Sequence, residues 1–190
     1  MGIGNVLRTV AIAGLAAGLA VSLGTSAEAQ ERVKWKMPSA FGSKLSILGP
    51  TGLRFADHVK TLSGGSLILK FYEPGALVPA LEMFDSVGKG ALDSAWTTPG
   101  YHIGKIPALA FYSAVPFGPG ATEYLGWFKF GGGTKLLNEI YAPHNLYSQR
   151  CIAIAPEASG WFRQPLKSIA DVKGLKMRFF GIGALVMNKL

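Results

Sequence analysis

An alternation of strand-type and helix-type patterns in the first half of the chain constrains the fold more than any other feature. The stretch VKWKMPSAF (33–41) alternates apolar residues with lysines, which is the period-two pattern of a strand. Four further segments continue the series: a helix over 53–62 ended by a pair of glycines, a strand over 66–72, a helix over 79–90 and a short strand over 91–96. This order predicts an α/β fold, with a mostly parallel sheet flanked by helices.

The second half of the chain breaks this rhythm. Residues 97–120 are rich in glycine, proline and aromatic side chains, so we expect ordered irregular backbone with a short helix over 107–113. The later segments are two predicted helices separated by glycines at 131–133, a long strand over 146–156, a turn-helix, a strand over 175–180 and the start of a helix. Nothing after the last strand closes a sheet, and we therefore expect a fragment of a longer protein.

The first 29 residues have the pattern of a secretory signal peptide. A basic residue, Arg8, precedes an uncharged run over 10–23, and small residues follow at 27–29, so we expect cleavage after Ala29. The apolar run has 14 residues, whereas a membrane-spanning helix needs about 20. The pattern predicts a periplasmic protein.

Composition excludes several classes of protein. Cys151 is the only cysteine, so a disulfide framework is ruled out, and we expect it to be a small buried residue. The formal net charge is +8, but the bases are scattered, which argues against a nucleic-acid-binding arm or helix. A positive surface still attracts small anions.

Motifs for catalysis or nucleotide binding are weak. Gly181 and Gly183 lack the third glycine of a dinucleotide loop, because position 186 is valine. Ser159 has a glycine on one side only, short of a nucleophile elbow, and no paired metal-ligand spacing occurs. The histidines lie on a polar helix side or in predicted loops, where solvated side chains are expected. The sequence does not favour an enzyme.

A set of residues at predicted strand ends and in the irregular loop forms the candidate binding site. In open α/β sheets, ligands bind at the carboxyl ends of the strands. The set is Phe41, Trp96, Tyr101, Glu157, Trp161 and Arg178. Structural roles stay open for most of them, including half-buried core positions for the two tryptophans. Arg178 is the strongest candidate, because an arginine among apolar residues needs an anionic partner and its planar fork suits a carboxylate.

Four stretches give the chain a family resemblance: GALD (90–93), PGYHIGKIPALAFYSAVPFG (99–118), PEASGWFRQPLKS (156–168) and IADVKGLKMRFFG (169–181). Together with the signal peptide and WKMPSAF, they resemble the periplasmic solute-binding proteins of TRAP transporters, the DctP family. The second stretch is similar to the subgroup that binds α-keto and 2-hydroxy monocarboxylates.

The resemblance implies a two-lobed protein that closes around a small organic acid and delivers it to TRAP membrane transporter subunits. The first α/β lobe is then 30–145, and 146–190 is the crossover and the start of an incomplete second lobe. Members are longer than this chain, and a homodimer of the full-length form is a further expectation. Two other functions stay open: a periplasmic enzyme acting on a small anion, and a ligand-binding partner of a sensor protein.

The resemblance also implies roles for individual residues. Arg178 falls on the arginine that pairs with the ligand carboxylate, and Tyr101 falls in the loop that faces the ligand. Glu157 occupies the position of a polar residue, often glutamine, that helps to hold a cation bridging to the ligand. A carboxylate there favours Ca²⁺ over Na⁺. No covalent cofactor is implied.

Overall fold

The computed structural model describes residues 31–156, 158 and 160–189. The predicted signal peptide and Glu157 lie outside these residues, as does Ser159. Two parallel strands form the sheet: β1 (Val33–Pro38) and β2 (Leu67–Tyr72), with Val33 opposite Leu67. The helix α1 (Leu48–Leu62) makes the crossover between them, as two parallel strands require. The parallel α/β arrangement predicted from the alternating patterns is confirmed.

The predicted third strand is reduced to a short bridged segment beside β1. Ser39 forms a parallel bridge with Trp96, whose backbone N–H donates to the Pro38 carbonyl over 2.9 Å. The Ser94 N–H also donates to the Lys36 carbonyl over 3.2 Å. The segment therefore lies where a third strand was expected, but its regular pairing is limited to the bridge.

Helices and 3₁₀ turns make up the rest of the ordered secondary structure. The α-helices are α2 (Met83–Gly88), α3 (Ala121–Phe130), α4 (Gly133–Tyr141) and α5 (Ile182–Met187). The 3₁₀ turns are Ala80–Glu82, Pro99–His102, Pro107–Tyr112, Ala142–His144 and Ile169–Val172. The glycine break between α3 and α4 was predicted correctly, and Gly132 there has φ 84°, which favours glycine. The irregular 97–120 region also holds its predicted short helix, as a 3₁₀ turn.

The strands predicted over 146–156 and 175–180 are absent from the described residues. A strand is defined by its hydrogen bonds to a neighbour, and β1 and β2 are the strands that the described part of the chain contains. Ile152 nevertheless packs against the core beside β1. The neighbouring Cys151 is exposed, so its predicted burial was wrong.

Two apolar clusters stabilise the fold. The first joins Met37 of β1, Leu69 of β2 and Trp96, and the apolar side of α1 packs against it. The second lies among the helices and comprises Phe84, Leu109, Phe128, Leu137 and Tyr141. Burial raises the pKa of Tyr141 to about 12. Residues 97–120 connect the two clusters and include Tyr101 of the candidate site.

Candidate ligand-binding site

The carboxyl end of β1 is fixed by Ser39. Its side chain is fully buried, and its hydroxyl accepts from the Phe41 N–H over 3.0 Å and donates to the Phe41 carbonyl over 2.6 Å. A local serine turn of this kind ends the strand and sets the direction of the following residue. Phe41 therefore leaves the sheet at a defined angle, half-buried beside the irregular loop.

Trp96 lies in the core at the same end of the sheet. Its side chain is 7% exposed, its ring lies 5.7 Å from that of Phe55, and its indole N–H donates to the Leu48 carbonyl over 3.0 Å. The indole N–H is therefore used to anchor the start of α1. Trp96 therefore has the core position that was one of the two roles considered for it. Direct contact of Trp96 with a ligand stays a prediction.

Three aromatic side chains from distant parts of the sequence form a row, which we call the aromatic row: Phe41, Tyr101 and Phe180. The ring centroids of Phe41 and Tyr101 are 6.0 Å apart, and those of Tyr101 and Phe180 are 5.5 Å apart with an edge-on geometry. Both distances are those of interacting aromatic pairs. The row joins the end of β1, the irregular loop and the segment that carries Arg178.

Arg178 is exposed and lies two residues before the end of this row. Alternate residues Leu175, Met177 and Phe179 line a groove of about 300 Å³ beside α5. Neither Arg178 nor Phe180 is among the residues that line this groove. Neither ion pair among the described residues includes Arg178. Its guanidinium is available to an anionic ligand, and the groove is not the candidate site.

Trp161 and Glu157 are not brought to the aromatic row by the described geometry. The Trp161 side chain is 95% exposed, so the half-buried core position considered for it was wrong. Glu157 lies outside the described residues. The described residues contain no group of three or more histidine, cysteine or acidic side chains that holds a metal. Ca²⁺ takes six to eight oxygen ligands, which include backbone and amide carbonyls as well as carboxylates.

His102 departs from the sequence-based expectation of a solvated histidine. It is 3% exposed, its ring lies 5.0 Å from that of Phe84, and its Nε2 has no hydrogen-bond partner among the described residues. Burial, reinforced by the charge of Lys105, lowers the pKa of His102, although Asp85 opposes this shift. Lys105 and Asp85 form an ion pair on the adjacent surface. His102 is thus a buried side chain packed on Phe84, directly after Tyr101 in the sequence.

Phe180 is the residue of the aromatic row that was missed by the sequence analysis. The signal in the sequence was its place two residues after Arg178 in the predicted strand over 175–180, because side chains two positions apart share one face of a strand. Burial of Ser39 was also missed, because a serine at a strand end reads as a solvated turn residue.

The fold and the geometry of the site together define a class, a parallel α/β protein with an aromatic row after the end of β1 and an exposed arginine two residues before Phe180 of that row. The profile of DctP, described as bacterial extracellular solute-binding protein, family 7, matches residues 40–187. The chain belongs to this family. Within the described ranges, no helix combines the length and apolar character needed to cross a bilayer.

Known relatives support this assignment. The monocarboxylate 2-oxoacid-binding periplasmic protein of Nostoc sp. (strain PCC 7120) is 34% identical over 191 residues, covering 98% of this chain and 52% of the relative. A TRAP periplasmic solute-binding protein from Colwellia psychrerythraea, solved with bound calcium and pyruvate, is 31% identical with a TM-score of 0.79. One from Pseudoalteromonas atlantica, solved with bound sodium and pyruvate, is 30% identical with a TM-score of 0.74.

Each of these two structural matches covers 84% of this chain and 48% of the solved chain. The chain therefore spans about half the length of the relatives that it matches. This agrees with the expectation that family members are longer.

Proposed function

We propose that this chain serves in an extracytoplasmic solute receptor for a TRAP-type transporter and binds a small 2-oxo or 2-hydroxy monocarboxylate. The observation that carries the proposal is the exposed guanidinium of Arg178, two residues before Phe180 of the aromatic row. The 2-oxoacid-binding relative and the two pyruvate-bound structures support the same class of ligand.

Binding follows from charge and from exclusion of water. The guanidinium of Arg178 donates two parallel hydrogen bonds to the ligand carboxylate, a geometry that a planar fork makes possible. Tyr101 and Phe41 present aromatic surface beside it, which removes water and strengthens the ion pair. Desolvated charge pairs of this kind cost about 2–5 kcal/mol when one partner is removed.

The proposal includes a cation that bridges the protein and the ligand. Glu157 is the candidate ligand for Ca²⁺ or Na⁺, and a Ca²⁺ ion would need further oxygen ligands besides Glu157. The roles given to Trp96, Trp161 and Glu157, the lobe boundary near residue 145, periplasmic export by the signal peptide and a homodimer are also proposals.

Calorimetric titration of the full gene product with pyruvate, in the presence of Ca²⁺, tests the function. We expect Arg178→Ala to weaken binding by about 30-fold or more, which corresponds to at least 2 kcal/mol. Arg163→Ala is the matched control, because Arg163 is an exposed arginine outside the aromatic row. Equal affinity of the Arg178 and Arg163 variants refutes the role of Arg178.

The same titration separates a binding protein from an enzyme. Chemical turnover of pyruvate during the titration favours an enzyme acting on a small anion. Succinate serves as a second ligand, because its second carboxylate needs a second cationic partner. We expect much weaker binding of succinate than of pyruvate.

A further inference from the structure

Gly100 is a glycine for a reason of packing rather than of backbone conformation. It is buried in the 3₁₀ turn Pro99–His102 and is not among the residues with positive φ. A Cβ added at Gly100 would lie 2.3 Å from Cζ of Phe180 and 2.7 Å from Oγ of Ser113. Carbon atoms in contact are normally about 3.5–4.0 Å apart. The Phe180 ring therefore occupies the space that any larger side chain at position 100 would need.

The contact joins two parts of the chain that bear the proposed ligand contacts. Gly100 immediately precedes Tyr101, and Phe180 lies two residues after Arg178. Phe180 also meets the Tyr101 ring edge-on at 5.5 Å. In the described part of the chain, the backbone of residues 176–180 makes no hydrogen bond to β1 or β2. Side-chain packing is what sets the distance of this segment from the loop.

We propose that Gly100 is a positioning residue, which lets Phe180 approach closely and thereby sets the size of the acid held between Arg178 and Tyr101. This inference rests on the proposed function. An added methyl group at position 100 would push the Phe180 ring back by about 1 Å to reach ordinary contact. Charge-assisted hydrogen bonds are confined to about 2.7–2.9 Å, so a shift of this size breaks the fit to a small acid and favours a longer one.

A pair of glycine substitutions in one loop provides the test. Gly100→Ala adds a methyl group in the contact, whereas Gly104→Ala adds it where nothing lies within 4 Å and φ is not positive. We expect Gly100→Ala to raise the dissociation constant for pyruvate at least tenfold and Gly104→Ala to leave it unchanged. Equal effects of the two substitutions overturn the proposal.

Ligand size separates positioning from general destabilisation. A merely destabilised protein loses affinity for pyruvate and for 2-oxobutyrate by the same factor. A segment that has moved back loses less affinity for 2-oxobutyrate, because the extra methylene group fills part of the added space. We expect the preference for 2-oxobutyrate over pyruvate to rise at least threefold in Gly100→Ala. An unchanged preference contradicts the role.

Shortening the Phe180 side chain should restore part of the pyruvate affinity that Gly100→Ala removes. We expect Gly100→Ala combined with Phe180→Leu to bind pyruvate more tightly than Gly100→Ala alone, because leucine leaves room for the added methyl group. Phe180→Leu alone keeps the variant series informative if Gly100→Ala does not fold. It should bind pyruvate more weakly than the parent, and parental affinity counts against the contact.

A measurement on the unliganded protein tests the Gly100–Phe180 contact independently of the proposed function. A nuclear Overhauser effect between the Phe180 ring and the Gly100 α-protons is expected in the unliganded protein and should be lost in Phe180→Leu. If the protein binds no pyruvate but shows this effect, the proposed function fails and the contact stands. If the effect is absent from a protein that binds pyruvate, the proposal for Gly100 is overturned.

Discussion

Replacing Trp96 by phenylalanine tests whether this side chain supports the core rather than only contacting a ligand. The substitution removes the indole N–H, which donates to the Leu48 carbonyl over 3.0 Å at the start of α1. It also removes ring volume from a tightly packed place, since a Cβ added at Gly52 would lie 3.1 Å from the Trp96 Nε1. Both changes act on the same helix and the same apolar cluster.

The expected loss of stability is the sum of two contributions. Loss of a part-buried hydrogen bond costs about 1 kcal/mol. A cavity of about 40 Å³, at about 24 cal/mol per Å³, adds roughly 1 kcal/mol, before the lost transfer energy of the removed atoms. The free energy of unfolding should therefore fall by about 2–3 kcal/mol, which for a domain of this size lowers Tm by about 5–10 °C.

Urea unfolding followed by far-UV circular dichroism measures this loss without relying on tryptophan fluorescence. Trp161→Phe is the matched control, because the Trp161 side chain is 95% exposed and its replacement should change the free energy of unfolding by less than about 0.5 kcal/mol. A Trp96→Phe variant as stable as Trp161→Phe would falsify the reasoning about the core role of Trp96.

Three further predictions concern the histidine, the second core cluster and the cation. Burial lowers the pKa of His102, so the unfolded chain binds a proton that the folded chain does not, and stability should fall as pH drops below about 6.5. In thermal unfolding, His102→Gln should flatten this pH dependence. Replacing the exposed His58 by glutamine should leave it unchanged. Leu109→Ala removes a fully buried side chain and should lower the free energy of unfolding in urea by about 2–5 kcal/mol. Leu62→Ala is the control, because the Leu62 side chain is 89% exposed and its loss should cost less than about 0.5 kcal/mol. Similar values for the two variants contradict the assigned core. If the bridging cation is Ca²⁺, exhaustive chelation should weaken pyruvate binding at least tenfold in titration calorimetry, and an unchanged affinity rules out a bridging Ca²⁺.

The candidate site was only partly predictable from the sequence. Phe41 and Tyr101 were chosen because they follow predicted strand ends, and the structure brings their rings within 6.0 Å of each other. Trp161 was chosen by the same kind of argument and lies 95% exposed. Position in the sequence identifies the edge of a sheet, but it does not say which side chains of a loop turn toward that edge.

Local patterns in the sequence specify only part of the secondary structure, since the strands predicted over 146–156 and 175–180 do not form among the described residues. Period-two and helical patterns specified β1, α1 and β2, and glycines specified the break between α3 and α4, because these signals lie within a few residues of one another. The long-range contacts between these elements follow from the tertiary fold. The burial of His102, the anchoring of α1 by Trp96 and the packing of Phe180 on Gly100 join residues up to 80 positions apart. Contacts of that range depend on the shape of the whole fold, and no periodicity along the chain encodes them.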